Sequence, residues 1–431
     1  MNVNRRVLSM AISVVVGCIL LIGYSLVTAD RRTRQVQRSV QGQLTLVERG
    51  RYLATIGACA GCHTPPAVEN TRPAAEDATA VERDRKFRTD PDWYRYLDPN
   101  RYLSGGVPFY LRFSGKSNGV VYSSNITPDP ATGLEPCGAR ASSSCWTEDD
   151  LVNVIRAGKR KQGANPQFLF LFPPHSFYRN MADDDVRALV AYVRSLAPIR
   201  NDFLQGRLRY RRLSPERSST QVATVKAPEF APKGRSAERG LYLMNALVGC
   251  RECHSFQKFT ASGPILQEFV GGDPSDPFLG VFRLGPDLPL RADEKGFAVF
   301  PYPGYAVLYS SNLTRFGIGG DLRGVPDEQV VRAIRGGIST EPDRYGRPSP
   351  LEHVMLWQFY ASMADDDVYA IVAYLRTLKY VPHVVEPRLL RYGTDWEAAF
   401  RQVFGRFNVL TGESSDTITE TDRELFGKGT R

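Results

Sequence analysis

Two pentapeptides, Cys59-Ala60-Gly61-Cys62-His63 and Cys250-Arg251-Glu252-Cys253-His254, constrain this chain more than anything else in it. On one turn of helix, two cysteines three apart can both form thioethers with a porphyrin edge. The histidine that follows can then place its imidazole under the iron as the proximal axial ligand. A bare Cys-x-x-Cys also suits a zinc half-site or a redox dithiol. Here histidine follows directly in both copies, so the reading is two covalently bound haem c groups held by Cys59, Cys62, His63, Cys250, Cys253 and His254.

The surroundings of the motifs repeat as well, with an offset near the size of a domain. Glu48-Arg49-Gly50-Arg51-Tyr52-Leu53 precedes the first motif and Glu238-Arg239-Gly240-Leu241-Tyr242-Leu243 the second. Tyr122-Ser123-Ser124-Asn125-Ile126-Thr127 returns as Tyr309-Ser310-Ser311-Asn312-Leu313-Thr314, and Ile155-Arg156-Ala157-Gly158 as Ile334-Arg335-Gly336-Gly337. Met181-Ala182-Asp183-Asp184-Asp185-Val186 returns as Met363-Ala364-Asp365-Asp366-Asp367-Val368. The predicted order in each module is helix, attachment motif, long loop, helix, ligand loop, closing helix. In the first closing helix Val186, Leu189, Val190 and Val193 share one face. The aspartates before it are expected at a helix start, where negative charge meets the positive helix end, and not as a metal site. Asn125 and Asn312 satisfy a glycosylation sequon, but their matching places in the repeat favour a turn.

The 431 residues suit two or three domains. With 42% hydrophobic and 23% charged residues, wholesale disorder is excluded. Val7 to Ala29 is an uncharged run after Arg5 and Arg6, long enough to span a bilayer, so an uncleaved anchor is expected over 1–30. Cys18 sits in a lipobox-like setting, but the apolar run continues past it. Haem c attachment takes place outside the cytoplasm, which places the bulk of the chain on the periplasmic side of a bacterial inner membrane. Of seven cysteines, four are haem thiols and Cys18 lies in the anchor; Cys137 and Cys145 remain for a disulfide. The net charge of +9 is compatible with an acidic partner or a membrane surface. No nucleic-acid partner is expected. The stretch 201–235 is predicted as a surface linker and 386–431 as a tail with one amphipathic helix near Trp396 to Phe407.

These residues resemble the multihaem cytochrome c subunits of membrane-bound alcohol and gluconate-type dehydrogenases. The likeness rests on the Glu-Arg-Gly-x-Tyr-Leu lead-in, the attachment motifs, Ser104-Gly105-Gly106-Val107-Pro108-Phe109 and Ser124-Asn125-Ile126-Thr127-Pro128-Asp129. Trp146-Thr147-Glu148-Asp149-Asp150 and the Asp-rich closing helix complete it. It covers 46–198 well and 236–380 more loosely. It implies a mainly α fold: two tandem class I cytochrome c domains, 46–200 and 236–385, with long loop insertions, preceded by an N-terminal transmembrane helix. It implies an electron carrier between a dehydrogenase subunit or quinol-oxidising complex and a terminal oxidase or other acceptor. The chain departs from the pattern in having two haem sites and not three.

In the family a methionine lies eight residues before the residue that opens the Asp-rich helix. That register gives Met355 in the second module, with His353 as its competitor. In the first module it lands on Pro173, and His175 follows two residues later. The sixth ligand of the first haem is therefore His175, Met181 or none; Met181 and Met363 read better as packing residues. With His175 as ligand, thioether ligation by Met355 would make the second haem the higher-potential one, and electrons would run from module one to module two. With an open iron, the chain would be an enzyme of peroxidase or thiosulfate-oxidising type.

Overall fold

A computed structural model describes residues 45–65, 97–113, 116–138, 145–160, 167–168, 175–202, 227–260, 263–272, 281–284, 305–342, 345–346, 348–349, 351, 355–385, 389–393, 397–398 and 401. The fold is mainly helical. Among the described residues the helices of the two halves come in the same order. In the first, an opening helix (45–56) leads to the attachment helix Cys59–His63, a middle helix Glu148–Ala157, a short helix His175–Tyr178 and a closing helix Asp183–Ser195. In the second, the counterparts are Ala237–Ala246, Cys250–His254, Asp327–Gly336, Trp357–Tyr360 and Asp365–Leu375.

Opening and closing helices cross at glycine. A Cβ on Gly50 would lie 1.9 Å from the carbonyl oxygen of Ala188, and one on Gly240 2.0 Å from that of Ala370. Only hydrogen fits between the two backbones, so this residue of the Glu-Arg-Gly lead-in sets the helix spacing. The preceding arginine pins the same crossing. Arg49 donates from Nε to Asp185 at 2.8 Å, and Arg239 holds Asp367 with two bonds of 2.8 and 3.0 Å. The aspartates do stand in the first helical turn, after Ala182 and Ala364 as N-caps that have no capping side chain. In the first closing helix Val186, Leu189 and Val190 are buried, whereas Val193 is half-buried and Tyr192 takes its place in the core. Tyr192 stands at the crossing, with its Cβ beside Gly50.

The middle helix is capped by Thr147. Thr147 Oγ1 accepts from Asp150 N, and the Asp150 carboxylate accepts from Thr147 N, a reciprocal capping box. At its other end Arg156 reaches the Met181 carbonyl at 2.5 Å and Asp183 at 2.5 Å; Arg335 repeats this on Met363 and Asp365. Met181 and Met363 are buried in the core, as packing residues should be.

Where long loops were expected, short antiparallel strands appear. Pro108–Phe113 pairs with Lys116–Tyr122, and Phe256–Thr260 with Gly263–Gln267. Val281–Leu284, Tyr305–Tyr309 and Leu389–Gly393 form a three-stranded sheet, so part of the stretch read as a tail completes module two. Asn201, assigned to the linker, is buried and donates to the carbonyls of Ser104 and Gly105. The other end of that stretch lies on the first closing helix: Asp183 and Asp184 donate their N–H groups to Pro228 and Glu229. A disulfide joins Cys137 and Cys145. The apolar run 7–29 and almost all of Trp396 to Phe407 lie outside the described residues. Among the described residues no helix is long and apolar enough to cross a membrane.

The two modules share one hydrophobic core. Leu53, Met181, Val186 and Leu189 of the first lie in the same buried cluster as Leu243, Leu247, Phe359 and Val368 of the second.

Candidate functional site

Each attachment helix is set off from the opening helix by one residue in the left-handed region, Ala58 (φ 56°) and Gly249 (φ 65°). That kink lets a five-residue helix start in a new direction, carrying both thiols and the histidine on one turn. None of Cys59, Cys62, Cys250 and Cys253 is in a disulfide. Burial pushes the Cys59 and Cys250 thiols up to about 12.

Both histidines are held in the same way. His63 Nδ1 lies 2.8 Å from the Ser124 carbonyl, and His254 Nδ1 2.8 Å from that of Ser311. A carbonyl only accepts, so the proton is on Nδ1 and the lone pair is on Nε2. Burial lowers the pKa of both imidazoles, only partly countered by that hydrogen bond, and favours the neutral form a metal ligand requires. Two thiols on one turn plus a neutral, carbonyl-oriented imidazole, twice over, is a donor set that fits covalent haem. The Nδ1 bond is the outer contact that fixes a ligand histidine's tautomer and ring angle.

The backbone behind each histidine is equally matched. Gly105 N donates to the His63 carbonyl at 2.7 Å and Gly271 N to that of His254 at 2.9 Å. Gly105 has φ 75°, and a Cβ there would meet the Ser124 carbonyl at 2.4 Å. Leu103 and Phe269, both with φ 59°, donate N–H to Thr64 Oγ1 and Ser255 Oγ at 2.9 and 3.0 Å. Non-glycine residues kept in this region twice over mark a backbone held to a shape the site requires. Asn125 and Asn312 are buried and accept from the N–H of Thr127 and Thr314, each at 3.0 Å. They are turn residues; a glycan has no access to them.

In the segments expected to supply the sixth ligands the modules differ in sequence. Met355 is half-buried, just before Leu356 (φ 59°) and the short helix Trp357–Tyr360. His353 lies outside the described residues. His175 opens the short helix of module one, but its side chain lies outside them too. Aligning Tyr178 with Tyr360 puts His175 in the register of Trp357, not of Met355. Trp357 is buried against Gly337, where a Cβ would come within 2.4 Å of the indole. The fifth histidine, His383, has Nε2 3.1 Å from the Gly272 carbonyl and its ring on Phe256.

Sequence reasoning missed the contacts that cross between modules. Tyr178 and Tyr360 each bond a carbonyl at the end of their own opening helix, Gly57 and Val248, at 2.9 and 3.0 Å. The neighbouring phenylalanines reach across instead: Phe359 abuts Gly61 of the first attachment helix, and Phe177 abuts Gly249 before the second. Only the repetition of Phe-Tyr before each closing helix could have drawn attention to them.

Fold and site together define a mainly helical chain that carries the same Cys-x-x-Cys-His turn and carbonyl-anchored imidazole twice. Its homologues are cytochrome c subunits of dehydrogenases, at modest identity over about half the chain. It is 26% identical over 233 residues to the gluconate 2-dehydrogenase cytochrome c subunit of Pantoea cypripedii, covering 51% of this chain and 40% of that one. It is 25% identical over 257 residues to the cytochrome c subunit of the quinone-dependent alcohol dehydrogenase of Gluconobacter oxydans, covering 54% and 41%. It is also 27% identical over 216 residues to a nicotinate dehydrogenase subunit of Pseudomonas putida, covering 49% and 14%. The chain thus spans less than half the length of these relatives. No family model matches it.

Proposed function

We propose that this chain is a membrane-anchored, periplasmic dihaem cytochrome c. It would relay electrons from a dehydrogenase or quinol-side donor to a downstream acceptor. The observation that carries this is the duplicated set of two thiols and an Nδ1-anchored imidazole. The relatives support the electron-transfer role and a dehydrogenase as partner. Bound haem c supplies a one-electron ferric–ferrous couple. The protein's part is to hold and tune it. Cys59, Cys62, Cys250 and Cys253 tether it, while His63 and His254 present Nε2 at an angle set by Ser124 and Ser311. Met355 is assigned as the sixth ligand in module two and His175 in module one, giving module two the higher potential. Haem staining and intact mass of the exported protein test the core of the reading. Two haems are expected, and one in the Cys59→Ser/Cys62→Ser double variant; a chain without covalent haem would refute it.

A second reading has an observation of its own. Pro173 replaces the residue matching Met355, and His175 falls where module two has a buried tryptophan. An open iron in module one would make the chain a dihaem oxidoreductase. Carbon monoxide binding by the reduced protein decides: binding at one haem favours the enzyme, binding at neither favours the relay.

A further inference from the structure

The opening-helix tyrosines make matched, crossed contacts. Tyr52 of module one donates its hydroxyl to Asp367 of module two at 2.6 Å and accepts from Ala364 N at 3.1 Å. Tyr242 of module two donates to Asp185 of module one at 2.6 Å and accepts from Ala182 N at 3.1 Å. Residue i meets j and j meets i, the signature of a twofold interface, here between two halves of one chain. Ala182 and Ala364 are N-caps, and Asp185 and Asp367 are the third residues of their helices. In a capping box the third residue's side chain reaches back to the N-cap N–H. In this chain a tyrosine hydroxyl from the other module stands between them and completes the circuit. The aspartate's remaining bonds go to its own module's arginine, so the hydroxyl is part of a filled buried cluster.

The cap lies five residues after the phenylalanine that crosses back. Tyr52 grips the start of the helix that follows Phe359, and Phe359 rests on Gly61 of Tyr52's own module. Tyr242 grips the start of the helix that follows Phe177, and Phe177 rests on Gly249 beside the second attachment helix. Burial and the neighbouring carboxylate raise the pKa of both tyrosines, so each stays a donor across the physiological range.

We propose that Tyr52 and Tyr242 are positioning residues, each clamping the other module's Phe-bearing segment onto the haem attachment helix of its own module. This rests on the haem-carrier reading for its meaning and for the redox titration, while the exchange comparison reads the backbone. Tyr→Phe keeps the ring and removes only the hydroxyl. Hydrogen exchange of the holoprotein is followed by mass spectrometry in peptides spanning 59–63 and 250–254. Tyr52→Phe is expected to speed exchange at 59–63 roughly tenfold, the factor for losing one hydrogen bond to a charged group, and to leave 250–254 unchanged. Tyr242→Phe is expected to do the reverse. In a redox titration each substitution should shift the potential of its own module's haem alone. A purely structural role would speed both helices together; that result, or no change at either, would overturn the proposal. Haem content of the wild-type chain, measured separately, shows whether the carrier reading itself has failed.

Discussion

Gly50→Ala probes the tightest helix contact in module one. The new Cβ would sit 1.9 Å from the Ala188 carbonyl oxygen and 2.7 Å from the Tyr192 Cβ. Carbon and carbonyl oxygen approach no closer than about 3.3 Å, so the helices must part by roughly 1.4 Å. Arg49 is the adjacent residue, and its bonds to Asp185 now measure 2.6 and 2.8 Å. A parting of that size stretches both to roughly 4 Å, beyond hydrogen-bond range. Overpacking costs about 1–3 kcal/mol. Weakening a buried charged hydrogen bond adds about 1.5–3 kcal/mol. Alanine's better helix propensity returns about 1 kcal/mol. The expected net loss is about 3 kcal/mol, using the middle of these ranges. Guanidinium unfolding followed by far-ultraviolet circular dichroism measures it as a lower midpoint with an unchanged slope. Gly240→Ala meets Ala370 at 2.0 Å and should cost nearly the same. Either variant within about 0.5 kcal/mol of wild type, a typical surface substitution, would refute the close-crossing argument.

Further outcomes can be checked with the same unfolding assay. Tyr52, Tyr102 and Tyr242 have raised pKa values through burial, so the folded state disfavours tyrosinate. Stability should be full below about pH 10 and fall above it, as the unfolded chain ionises first; a Tyr52→Phe/Tyr242→Phe variant should show a shallower alkaline loss. Ala58→Gly should gain about 0.5–1 kcal/mol by relieving a left-handed alanine, whereas Gly249→Ala should lose more than that, adding a 2.8 Å clash with Phe177 to the strain. Replacing Cys137 and Cys145 by serine should cost about 2.5 kcal/mol, the loop-closure term for so short a ring. Asn125→Ala strips the turn of bonds to Thr127, Thr132 and Ile199 and should cost about 2–4 kcal/mol.

The sequence was most legible where one short segment carries a whole physical argument. The attachment turns and the Asn-x-Thr turns appear where local spacing put them. The strands were not legible, because their pairing joins segments such as Val281–Leu284 and Leu389–Gly393 that bear no local mark of each other. The crossed tyrosines show a different limit. In a duplicated chain Tyr52 has two equally suitable aspartates, Asp185 and Asp367, and an internal repeat cannot say which one it meets. Only three-dimensional placement breaks that degeneracy. The candidate sixth ligands fall between these cases: Met355 has a register to support it, whereas His175 shares its register with a tryptophan.

The crossing phenylalanines also impose an order in time. A chain emerges N-terminus first, and its parts fold as they become available. Phe177 is already made when Gly249 appears, so the second motif can be covered almost at once. Gly61 must wait for Phe359, about two-thirds of the chain length later. The first pair of cysteines is therefore left open for longer than the second as the chain emerges. Any enzyme that modifies these thiols before folding meets two windows of very different length.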